Sequence, residues 1–71
     1  MDLISLKVKS LIYPHGEYHL GKAVKVEDEG SFYRIDGTHI FDKHKILSIE
    51  QTDGRVTLEM KDKTVVLEVE K

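Results

Sequence analysis

The sequence predicts an all-β fold, a small barrel or sandwich of six to seven short antiparallel strands in a meander. Three observations predict it. Apolar and polar side chains alternate at period two through most of the chain. Tight-turn dipeptides, Asp36-Gly37 and Asp53-Gly54 above all, separate the alternating runs. The apolar positions also favour valine and isoleucine, whose branched side chains suit a pleated surface.

In the first run, Ile4, Leu6, Val8 and Ile12 are expected on one face, with Ser5, Lys7 and Lys9 on the other. Ile4, Val8 and Leu11 also recur at helical spacing, but the β-branched residues and alternating lysines favour a strand. Lys7 and Lys9 are then expected to protect an edge strand from pairing with other chains. Pro14 to Gly21 (PHGEYHLG) reads as one long loop, because a proline and two glycines interrupt regular structure there. A second strand places Val24 and Val26 inward and Lys25 and Glu27 outward, and Glu27 to Gly30 forms a turn.

Ser31 to Asp36 gives a strand in which Tyr33 and Ile35 oppose Phe32 and Arg34. Asp36-Gly37 suits a two-residue hairpin, since both residue types tolerate positive φ. Thr38 to Phe41 returns, and Asp42-Lys43-His44 makes a corner. Lys45 to Thr52 is apolar on both faces, with Ile46 on one side and Leu47 and Ile49 on the other. After the Asp53-Gly54 turn, Val56, Leu58 and Met60 alternate with Thr57 and Glu59. Lys61 to Lys63 turns the chain again, and Val65, Leu67 and Val69 face inward while Val66, Glu68 and Glu70 face out. With so much strand, closure into a barrel removes exposed edges.

The stretch from Thr38 to Val69 (THIFDKHKILSIEQTDGRVTLEMKDKTVVLEV) loosely resembles the central meander of bacterial pleckstrin-homology-like domains, and resembles other small-barrel meanders about as much. A pleckstrin-homology-like domain implies a capping helix after its last strand, whereas about one residue follows the last strand here. No function and no residue role is carried over.

At 71 residues the chain is expected to be one domain, residues 1–71. A domain this small buries only about 60% of its unfolded surface. Ordering costs roughly 1.5 kcal/mol per residue, so small domains lean on disulfides, a metal or a partner. Cysteine is absent, which excludes disulfides and thiolate zinc sites and leaves self-association as the expected supplement. The formal charge of −2, with no basic block, does not draw nucleic acid to the chain as a whole. No apolar run approaches the ~20 residues of a membrane-spanning helix. The start lacks the basic and apolar regions of a secretory signal, so no membrane partner and a cytoplasmic location are expected.

Three functional classes follow. Excess apolar surface at Ile46, Leu47, Ile49 and Val66 points to a non-enzymatic protein-interaction module, a homo-oligomer or a partner of another protein. The alternative is a barrel that binds single-stranded nucleic acid through Phe32, Tyr33 and Arg34 with Lys25, Lys43 and Lys45, aromatics for stacking beside cations for phosphate. The third is a metal site in the Pro14–Gly21 loop from His15, Glu17 and His19, with His39 and His44 available to complete it. No nucleophile elbow, phosphate loop or glycine-rich fingerprint is present, so neither an enzyme nor a cofactor is expected. Asp36, His39 and Asp42 lie close across one hairpin, where aspartates usually serve the turn.

Overall fold

A computed structural model describes residues 3–70; residues 1, 2 and 71 of the expected 1–71 domain lie outside the described residues. The strands are β1 (Lys7–Tyr13), β2 (Gly16–Lys25), β3 (Glu27–Asp28), β4 (Phe32–Ile35), β5 (His39–Asp42), β6 (Ile46–Thr52), β7 (Arg55–Met60) and β8 (Thr64–Val69). Five form a sheet in the order β2-β1-β8-β7-β6, and three form a second in the order β3-β4-β5. Every pairing is antiparallel, so the all-β meander is present with eight strands rather than six or seven. Short 3-10 turns occupy Leu3–Ser5 and Lys43–Lys45. Among the described residues no helix is long and apolar enough to cross a membrane.

The additional strand comes from a shorter turn than the sequence implied, since Glu27 and Asp28 pair with Arg34 and Tyr33. The long loop is also corrected. Pro14 and His15 form a two-residue turn, Tyr13 faces Gly16, and the chain from Gly16 onward is strand. Proline sits at the turn itself, where its fixed φ helps reversal and no ladder hydrogen bond is needed. Gly21, at φ 81°, lies where β2 bends. There the two steps from Val8 to Ser10 on β1 face the five from Val24 to His19 on β2. That fold in β2 carries the chain toward Val26, which is buried at the crossing to the second sheet.

Leu3, Val8, Leu11, Val26, Ile35, Phe41, Val56, Leu58, Met60, Val65, Leu67 and Val69 form the core. The inward sets of β7 and β8 are those that alternation predicted. In the N-terminal segment the structure corrects the sequence. Ile4 lies exposed in a 3-10 turn, and Leu3 is buried instead. A β-bulge at Lys9 sets two steps of β1 against the single step from Val69 to Glu68 on β8. The extra residue shifts the phase, so Leu11 enters the core and Ile12 turns to the opposite face. Nor is β1 an edge: it lies between β2 and β8, so Lys7 and Lys9 guard no free border.

Candidate functional site

The outer strands of the larger sheet are β2 and β6. In β6, Ile46 faces Met60 and Ser48 faces Glu59, so two residues advance where β7 advances one, and Leu47 is the inserted residue. A bulge re-aims the side chains around it. Leu47 is left 59% exposed, more than any other large apolar side chain among the described residues. The expected opposition of Ile46 and Ile49 is overturned by the same bulge, because both now pack against the core.

Tyr33, Lys43, Ile46, Leu47, Ser48 and Ile49 line an open groove of about 380 Å³ beside β6. Tyr33 comes from β4 and Lys43 from the turn after β5, so the groove lies where the two sheets meet. Lys43 Nζ stands 4.8 Å from the Tyr33 ring centroid and donates to Asp28 Oδ1 at 2.8 Å. That hydrogen bond, and a second from the Gly30 amide, hold the Asp28 carboxyl below its ordinary pKa. Three of the four expected interaction residues therefore meet at one groove. Val66 does not join them: it lies two strands away on β8, on the face away from Ile46 and Ile49, half-buried between Ile12 and Thr57.

The residues of the nucleic-acid alternative are divided between surfaces. Phe32 and Arg34 do share a face, with the guanidinium carbon 5.6 Å from the ring centroid. Arg34 is already ion-paired with Glu29 at 3.4 Å, Lys43 with Asp28 at 2.8 Å and Lys45 with Asp42 at 3.9 Å. Lys25 faces Lys7 at the far end of β2, and Tyr33 packs on the core. The aromatic–cation pairs are thus turned toward one another, and the cations carry carboxylate neighbours.

The candidate metal ligands also part. In the strand, His19 hydrogen-bonds Ser10 through Nδ1 at 3.0 Å and approaches Glu17 at 3.5 Å, while His15 Nε2 turns to the Tyr18 hydroxyl at 2.8 Å. Among the described residues no group of three or more His, Asp or Glu side chains is placed to hold a metal ion. His44 is exposed in the turn before β6, and His39 bonds the Tyr13 hydroxyl through Nδ1 at 2.9 Å. Asp36 stays in its turn and Asp42 faces Phe32, so the Asp36, His39 and Asp42 set is not assembled around one point.

Sequence reasoning missed a ring cluster at the β1–β2 turn. Tyr13 stacks with His15 and His39 at 5.1 and 5.7 Å, meets Tyr18 edge-on at 5.3 Å, and overlies Phe41 at 6.1 Å. Burial, with the neighbouring Tyr18 adding to it, pushes the Tyr13 hydroxyl above its ordinary pKa. The missing signal was the hairpin. Once Tyr13 faces Gly16, Leu11 faces Tyr18, and both tyrosines fall on the inner face beside His39.

Fold and groove together define a small two-sheet β domain with a bulged outer strand. Compared with known proteins, the chain matches no family model, no curated protein and no solved structure.

Proposed function

We propose that the chain is a non-enzymatic protein-interaction module that self-associates, with the outer border of β6 and the adjoining groove as its contact surface. The observation that carries the proposal is Leu47, exposed on a bulge in a strand with a sheet neighbour on one side. An outer strand offers backbone N–H and C=O groups to a further strand. Burying one leucine contributes roughly 1.5–3 kcal/mol, and Ile46, Ile49 and Tyr33 extend the apolar surface around it. A second copy suits a chain of this size, whose own core is small. The nucleic-acid alternative draws less support, because Arg34 and Lys43 already stand beside carboxylates.

Amide NMR spectra recorded through a dilution series test the proposal. Concentration-dependent shifts are expected along β6 and at Tyr33 and Lys43, and Leu47→Asp is expected to abolish them without unfolding the chain. Shifts centred elsewhere, or spectra that do not change with concentration, count against it.

A further inference from the structure

We propose a specific partner geometry, which rests on the interaction reading above: two copies pair β6 against β6 antiparallel about a two-fold axis passing between Leu47 and Ser48. The strand is self-complementary in this register. Lys45 immediately precedes it, and Glu50 lies toward its far end. Antiparallel alignment brings Lys45 of one copy to Glu50 of the other, which an isologous interface does twice by symmetry.

Face parity selects the register. Residues directly opposite in an antiparallel pair point to the same face. With the axis between Leu47 and Ser48, Ile46 opposes the partner's Ile49, and both are core-facing. Leu47 opposes the partner's Ser48 beside the groove, and exposed Lys45 opposes the exposed partner's Glu50. Moving the axis onto Ser48 sets inward Ile46 against outward Glu50 and loses both matches. Apolar contact, the Lys45–Glu50 pair and side-chain direction therefore agree at this alignment. The other outer strand of the larger sheet offers no equivalent: β2 bends at Gly21 and presents Glu17, His19 and Lys22 to solvent.

Bulges and charges commonly blunt edges against pairing. On β6 the bulged residue is leucine, and Lys45 and Glu50 stand on either side of it, where they select an antiparallel partner rather than repel one. Lys45 keeps only a 3.9 Å contact with Asp42, an exposed pair of the kind that contributes little and yields readily to a better one.

Charge exchange tests the geometry. Lys45→Glu and Glu50→Lys are each expected to weaken self-association about tenfold, since each places like charges opposite one another at both symmetric positions. Mixing the two variants is expected to restore association as a heterodimer, and the Lys45→Glu/Glu50→Lys double variant to self-associate like the parent. Circular dichroism checks that each variant is folded. If the parent self-associates but the single reversals have no effect, or the mixture is not restored, the register falls and the interaction module stands. A parent that is monomeric at every concentration removes both.

Discussion

Asp36 takes φ 54° and Gly37 φ 73°, and the Thr38 amide closes the reversal on the Ile35 carbonyl at 3.4 Å. Few side chains accept that backbone, which is why this dipeptide was legible from sequence. Asp28 was not. Its partner Lys43 is distant in the chain and arrives only when β5 has paired with β4. The sign of its contribution follows from its lowered pKa. A carboxyl whose pKa is lower folded than unfolded adds stability above the unfolded value and loses it as pH falls through the folded one. Asp28→Asn is therefore expected to be less stable than the parent at about pH 7, with the gap closing below the ordinary aspartate value of about 3.9. Urea denaturation of both proteins across that range checks this; a gap independent of pH would mean that the ion pair contributes nothing.

At the scale of single elements, alternation was sufficient wherever a strand runs unbroken, as in Val56–Met60 and Val65–Val69. It failed at each bulge, because one inserted residue exchanges the two faces from that point on. The helical spacing of Val8 and Leu11 was the trace of such an insertion: three steps apart, both are buried in one core. The same slip separated Ile46 from Ile49 and hid why Leu47 is exposed while both isoleucines pack on the core. Gly21 misled for a related reason, marking a bend within β2 rather than a loop. The bulge at Lys9 makes a sharp prediction. Leu11→Ala should cost about 2–5 kcal/mol, as for a core leucine, and Ile12→Ala well under half as much. Equal costs, or the reverse order, in equilibrium denaturation would place the phase of β1 where simple alternation put it.

For the whole molecule, the class of fold was readable because period and turn chemistry agree along most of the sequence. The groove was legible only in part. Excess apolar residues marked Ile46, Leu47 and Ile49, whereas Tyr33 and Lys43 reach the same place through the pairing of the second sheet and its turn. Val66 separated from them because β8 lies two strands away from β6, and its partners Ile12 and Thr57 set it on the face away from Ile46 and Ile49. Leu47, the most exposed of the large apolar side chains among the described residues, stands on a bulged outer strand with Lys45 before it and Glu50 beyond it, and the proposed association follows from that arrangement. Sedimentation equilibrium of the parent chain from micromolar to millimolar concentration tests it most directly. A mass that rises to twice that of the monomer, and stays at one for Leu47→Asp, is the predicted result. A single-chain mass at every concentration would contradict it.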